Sequence, residues 1–190
     1  MRVVAGALKS RALKAPKGDA TRPTSDRVRE SLFAVLGDVS GIVVLDLYAG
    51  SGALAIEALS RGAARAVCVE TARAALAVIR DNVAALGLQA RVQVVARKVD
   101  ESAASLAPHG PFELVLIDPP YADVPSGALA RELSPLLARR DELFADDALV
   151  VVEHAARDAA PVLPGLVHED DRRWGDTAAA FYRASRAAQR

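Results

Sequence analysis

Between residues 42 and 153, short apolar runs rich in β-branched residues alternate with amphipathic stretches, and nothing else in the chain constrains its fold as tightly. Residues 42–47, 66–69, 91–95, 112–117 and 148–153 have the length and composition of buried strands. The intervening stretches read as helices: 53–61 stopped at Gly62, 73–86 with Gly87 as its C-cap, a short 101–106, and 128–138. Parallel neighbours need a crossover, and each crossover lays its helix on the sheet. The repeat therefore predicts a mostly parallel sheet covered on both faces. The end of the chain departs from the repeat. Residues 166–174 and 177–182 are two strand-like runs joined at Gly175-Asp176, so an antiparallel hairpin closes a sheet of seven strands.

The first forty residues lie outside the repeat. Residues 2–16 read as a short hairpin turning near Gly6 and ended by Pro16 and Gly18. Pro23-Thr24-Ser25 precedes a helix with Val28, Leu32, Val35 and Leu36 on one face, closed by Gly37. The expected division is a basic β-hairpin arm over residues 1–18 and one α/β domain over 19–190. The 190 residues suffice for one domain with a full core, and 52% hydrophobic content excludes general disorder. No apolar run approaches the ~18 residues of a membrane span, and Met1-Arg2-Val3-Val4 lacks a signal-peptide layout. Cys68 is the single cysteine and sits inside an apolar run, which suits a buried residue in a reducing cytoplasm. His109, His154 and His168 are scattered without metal-ligand spacing and are assigned no role.

The net charge of zero hides an asymmetry. Residues 1–30 carry Arg2, Lys9, Arg11, Lys14, Lys17, Arg22, Arg27 and Arg29 against Asp19, Asp26 and Glu30. That leaves +5 there and −5 on the remainder. Attraction to a polyanion therefore has to come from the N-terminal end.

Two segments carry chemistry. Asp118-Pro119-Pro120-Tyr121 follows the apolar run ending at Ile117, so a rigid loop stands where a strand stops. At the carboxyl end of a parallel strand it presents a carboxylate, carbonyl oxygens and an aromatic face, the parts that a planar amino group on a heterocycle needs. Asp46-Leu47-Tyr48-Ala49-Gly50-Ser51-Gly52 places a glycine turn between the first sheet strand and its helix. There the backbone can approach a ligand and the helix N-terminus favours a carboxylate. Glu70 ends the next strand, where a carboxylate can accept ribose hydroxyls. Gly50-Ser51-Gly52-Ala53-Leu54-Ala55 also satisfies the relaxed dinucleotide fingerprint, so the turn alone is compatible with an NAD-dependent oxidoreductase. Asp46 suits a cationic amino acid better than a pyrophosphate, and hydride transfer has no use for the proline loop.

The glycine turn, Glu70 and the proline loop resemble those of the amino-methyltransferases. Residues 21–33, the opening Val3-Val4-Ala5-Gly6 and the late Gly175-Asp176-Thr177 narrow the resemblance to the RsmD family of 16S rRNA guanine-N2 methyltransferases, over nearly the whole chain. It implies an S-adenosylmethionine-dependent Rossmann-like fold, with Asp118, Pro119 and Tyr121 catalytic. Asp46, Ala49, Gly50, Ser51, Gly52, Glu70 and, from a shifted position, Asp100 would hold S-adenosylmethionine. Lys9, Arg11, Lys14, Lys17, Arg22, Arg27 and Arg29 would hold RNA. The implied partner is 16S rRNA in an assembled or assembling small ribosomal subunit, met by a cytoplasmic monomer with no membrane contact. Two alternatives share the sequence features: an adenine-N6 or cytosine-N4 DNA methyltransferase, and a non-catalytic ribosome-assembly factor.

Overall fold

The computed structural model describes residues 1–16 and 25–184. Five strands run parallel: β1 (Val43–Leu47), β2 (Arg65–Glu70), β3 (Val92–Ala96), β4 (Phe112–Ile117) and β5 (Phe144–Ala155). The hairpin of β6 (Val167–Trp174) and β7 (Thr177–Ala184) completes the sheet, with β7 antiparallel to both neighbours and the order β3-β2-β1-β4-β5-β7-β6. The seven-stranded Rossmann-like methyltransferase architecture read from the sequence is the one observed. The order reverses beside β1, which has β2 on one side and β4 on the other. Crossovers leave that point in opposite directions and open a crevice at the carboxyl ends of the strands.

Strand alternation divides the core in two. Val44, Ala66, Cys68, Leu114, Leu116 and Val151 face α1 (Asp26–Leu36), α2 (Ala53–Ser60) and α3 (Arg73–Ala85). Leu45, Leu47, Val67, Val69, Val115 and Ile117 face α4 (Ala103–Leu106), α5 (Ala128–Leu137) and α6 (Arg140–Leu143). Burial on both sides explains why the parallel strands read as continuous apolar runs.

Two local readings need correction. The inner face of α1 is Arg29, Leu32 and Phe33, whereas Val35 is 43% exposed. An arginine occupies the inward position because a buried acid, Glu57, waits for it on α2. Phe33 packs below with the Arg61 guanidinium 5.0 Å from its ring. Strand β5 starts at Phe144, four residues before the apolar run, and α6 precedes it. The exposed pair Asp146-Asp147 conceals that start, and the register between β4 and β5 shifts there.

Residues 1–16 form a compact turn paired by a single bridge, Arg2 to Ala12. It is no detached arm. Val3 and Leu13 lie in the same core as α2, and burying two such side chains contributes roughly 1.5–3 kcal/mol each. Gly6, at φ +80°, lies so close to Ser60 that a Cβ there would fall 1.9 Å from its carbonyl oxygen, so only glycine fits. The expected boundary at residue 18 lies outside the described residues.

Candidate active site

The site is assembled at the carboxyl ends of β1, β2, β4 and β5. Asp46 pairs in register with Cys68 and Leu116, so its side chain lies on the α2 face of the sheet. It is fully buried, and its Oδ2 accepts the Ala55 N–H at 3.1 Å. This caps the first turn of α2, whose N-cap residue, Gly52, has no side chain. Oδ1 is buried without a partner. Desolvation pushes the Asp46 carboxyl up to about 8, and the nearby charges of Asp118 and Glu70 add to the rise.

Above Asp46 the chain makes a tight turn with Tyr48, Gly50 and Gly52 at φ +59°, +56° and +75°. Left-handed backbone is natural for the glycines and costs roughly 1–2 kcal/mol at Tyr48. The tyrosine is held there by its hydroxyl, which donates to Glu132 on α5 at 2.6 Å. A Cβ on Gly50 would meet nothing nearer than the Tyr48 carbonyl at 3.9 Å, so the turn presents an open face to a ligand. Ala49 and Ser51 are buried beneath that face. Ala49 N–H bonds to Val69 O at 3.1 Å, and the Ser51 carbonyl accepts from Asn82 at 3.0 Å.

Glu70 turns back onto the glycine turn. Its Oε2 accepts Gly50 N–H at 2.9 Å, and its Oε1 accepts Thr71 and Ala72 N–H at 2.7 and 2.8 Å. A carboxylate offers about four lone-pair positions, so one remains for an incoming hydroxyl in this arrangement. Asp100 is exposed in a 3-10 turn after β3, and its charge reaches Tyr48. A buried unpaired acceptor, an open glycine cradle at a helix N-terminus and a carboxylate beside it fit an amino-acid nucleoside such as S-adenosylmethionine.

The proline loop continues β4. Asp118 N–H bonds to Leu47 O at 3.4 Å, which carries the ladder one residue past Ile117 and brings the loop beside the glycine turn. Pro119 is buried, while the Pro120 carbonyl is engaged by Asp123 N–H at 2.9 Å, so not every loop carbonyl is free. Tyr121 begins a 3-10 turn, and its hydroxyl donates to Glu153 at 3.0 Å and lies 2.9 Å from Thr177 Oγ1. Sequence reasoning did not single out Glu153, Tyr48, Glu132 or Asn82. The available signal was an acid closing an apolar strand run, Val150-Val151-Val152-Glu153, which in a two-faced sheet needs a partner.

The basic residues do not form one patch, although Lys9 and Arg27 line a single groove with Arg2, Asp26 and Glu30. Lys9 and Arg27 are exposed, Arg11 reaches the Ala85 carbonyl at 3.4 Å, and Lys14 pairs with Asp81 at 2.8 Å. Arg29 does not join them: it is 0% exposed, bonded to Asp26 at 2.8 Å and 3.5 Å from Glu57. It cannot reach a phosphate, because the hydrophobic side of α1 carries it into the core. Lys17 and Arg22 lie outside the described residues.

Known proteins resemble the whole chain. The family model described as "Conserved hypothetical protein 95" matches residues 1–183. YlbH of Bacillus subtilis (strain 168) is 36% identical over 189 residues, 96% of this chain and 98% of that protein. Ribosomal RNA small subunit methyltransferase D of Escherichia coli (strain K12) is 38% identical over 167 residues, 86% of this chain and 79% of that protein. Among solved structures, yhhF from Escherichia coli superposes with a TM-score of 0.78 at 31% identity, covering 98% of this chain and 99% of that one.

Proposed function

The chain belongs to the RsmD family, and on that premise we propose that it transfers a methyl group to the exocyclic N2 of a guanine in small-subunit ribosomal RNA. One observation carries the reading: Asp118 N–H bonds to Leu47 O, so the Asp118-Pro119-Pro120-Tyr121 loop leaves β4 beside the end of β1, where the chain enters the Gly50-Ser51-Gly52 turn. A group that binds a planar amine and a group that cradles a nucleoside share one mouth.

S-adenosylmethionine is the methyl donor and, when bound, supplies an electrophilic methyl on a sulfonium. Asp46 and the N-terminus of α2 would receive its amino-acid end, and Glu70 a ribose hydroxyl. The guanine N2 lone pair is delocalised into the ring. Asp118 and the Pro119 carbonyl, accepting the amine's hydrogens, favour a more tetrahedral nitrogen whose lone pair points along the line of displacement. Most of the acceleration then comes from orientation. Methylation makes the amine proton acidic, so Asp118 need not be a strong base. Tyr121 would hold the face of the base, a contact worth roughly 1–3 kcal/mol. The target base must be unpaired or flipped out, as RNA loops allow. Lys9, Arg11 and Arg27 would attract the phosphates without reading sequence. The partner is 16S rRNA within a small subunit, bound by a monomer.

The test is transfer of tritiated methyl from S-adenosylmethionine to isolated small-subunit rRNA, to 30S particles and to genomic DNA, with the labelled nucleoside identified. N2-methylguanosine from either RNA substrate is expected. Label in DNA adenine or cytosine would replace the substrate, and no label with any substrate would remove the enzymatic reading.

A further inference from the structure

A ring that only stacks has no need of a hydroxyl, yet the Tyr121 hydroxyl is fully engaged. It donates to Glu153 Oε1 at 3.0 Å and meets Thr177 Oγ1 at 2.9 Å, so the threonine hydroxyl is free to donate in return. Both partners belong to the rigid sheet. Glu153 lies on β5 one residue beyond the last pair of the β4–β5 ladder, Ile117 with Val152, and so beside the start of the proline loop. Thr177 opens β7, pairing with Ala155 on one side and Trp174 on the other. Glu153 pairs with Ala179, so Glu153 and Thr177 emerge on the same face, towards the loop. Glu153 is only 7% exposed, and a carboxylate that buried is costly unless it accepts hydrogen bonds.

We infer that Glu153 and Thr177 are positioning residues that lock the ring of Tyr121 at a fixed angle to Asp118 and Pro119 before the target base arrives. This rests on the reading of Tyr121 as the stacking face for the amine-bearing base. Tyr121 sits in a three-residue turn and is only partly buried. Without the two bonds it would sample rotamers that a base must freeze on binding. The bonds move that cost from the binding step to folding. They also account for the Gly175-Asp176-Thr177 segment, which no other part of the site uses. The Gly175 turn, at φ +65°, brings β7 back so that Thr177 stands opposite β5. The hydroxyl is no acid or base here: burial, opposed in part by the Thr177 bond, pushes it up to about 12.

The experiment compares Tyr121→Phe, Thr177→Val and Thr177→Ser with the wild type. For each, kcat and KM on small-subunit RNA are measured, with S-adenosylhomocysteine affinity by calorimetry and Tm. Tyr121→Phe and Thr177→Val should each lose about three- to tenfold in kcat/KM, the cost of freezing one side chain. Cofactor affinity should hold, the double variant should lose no more than Tyr121→Phe alone, and Thr177→Ser should recover to within about twofold because the hydroxyl returns. A purely structural role would lower Tm and leave kcat/KM per folded molecule unchanged, and that result overturns the inference. Loss in Thr177→Ser equal to that in Thr177→Val overturns it too. The anchor is also read without turnover. The chain has three tyrosines, so 3-fluorotyrosine labelling gives a sparse ¹⁹F spectrum in which Tyr121 is assigned by its loss in Tyr121→Phe. A Tyr121 resonance well dispersed from the random-coil position that moves towards it in Thr177→Val, as the χ1 rotamers begin to average, supports the anchor, and a random-coil shift in the wild type refutes it. If no nucleic acid is methylated by the wild type, the functional reading falls while this spectrum still decides the anchor.

Discussion

Replacing Asp46 with asparagine should leave stability unchanged below about pH 4 and make the protein increasingly more stable than the wild type as the pH rises from there to about 8. Asp46 is fully buried with one oxygen on the Ala55 N–H and the other unpartnered, so ionising it is expensive. Its carboxyl holds the proton up to about 8, against 3.8 in the unfolded chain. Between those values the native state binds one more proton than the unfolded state. This contribution is therefore fully present below about pH 4 and is lost as the pH rises to about 8. At about 1.4 kcal/mol per pH unit, the loss amounts to something on the order of 5 kcal/mol by pH 8 to 9. Asparagine keeps an oxygen for the Ala55 N–H and cannot ionise, so it escapes the loss. Urea denaturation of both proteins from pH 5 to 9.5 reads this directly, because all other titrating groups cancel in the difference. The gap should open steadily above pH 5 in favour of the variant. For a chain of this size each kcal/mol corresponds to about 2–4 °C in Tm. Parallel curves would mean that Asp46 is ionised in the native state at neutral pH, and the desolvation argument would fail.

Asp118→Ala should lower methyl transfer by about 10²–10⁴-fold while calorimetry shows S-adenosylhomocysteine binding unchanged, since under the proposed function the carboxylate addresses the amine. Glu70→Ala should weaken S-adenosylmethionine and S-adenosylhomocysteine alike by roughly 1.5–3 kcal/mol, because both present the same ribose and both lose the bond that fixes Gly50. Unchanged affinity in calorimetry would remove Glu70 from the cofactor site. Deleting residues 1–16 should lower Tm sharply, since Val3 and Leu13 leave the core with them. The RNA role is therefore tested by Lys9→Glu and Arg27→Glu, whose exposed side chains can change without that loss. Each phosphate contact removed should flatten the salt dependence of RNA binding by about 0.7 in log–log slope, at constant Tm.

The parts of the fold legible in the sequence are those governed by burial on two faces. Strands β1 to β4 are largely apolar runs, and the sequence places their bounds within a residue or two of those observed. The closing hairpin is legible from the Gly175-Asp176 joint and the buried apolar run of β7, although β6 is mostly exposed. Elements that depend on one buried polar contact were not legible. Arg29 reads as one more cation in a basic stretch until Glu57 is seen opposite it, 28 residues later in the chain. The same holds at the site. Asp118, Glu70 and the glycine turn announce themselves by position at strand ends. Glu153 and Thr177 acquire meaning only when the antiparallel β7 brings residue 177 back to residue 155. Pairing across 32 and 56 positions is a property of topology, and no local pattern encodes it.

The same kind of contact dissolves the separation between a basic arm and a catalytic domain. Glu57, in the middle of α2, accepts the Val4 and Ala5 N–H groups at 2.8 and 3.0 Å, and Ser60 one turn on accepts Leu8 N–H at 2.9 Å. Asn82 on α3 takes both backbone polar groups of Lys14, its Oδ1 accepting the amide N–H at 2.9 Å and its Nδ2 donating to the carbonyl at 3.1 Å. The same Nδ2 also donates to the Ser51 carbonyl at 3.0 Å. One buried amide thus bridges the N-terminal segment and the glycine turn. Helix α2 does so a second time, with the cradle at its N-terminus and the segment fastened along its side. The backbone that carries the exposed cations of residues 1–16 is consequently fastened to the elements that form the candidate site. A phosphate contact made by Lys9 would constrain where the target base enters, a geometric selectivity that a flexible arm of the same charge could not provide.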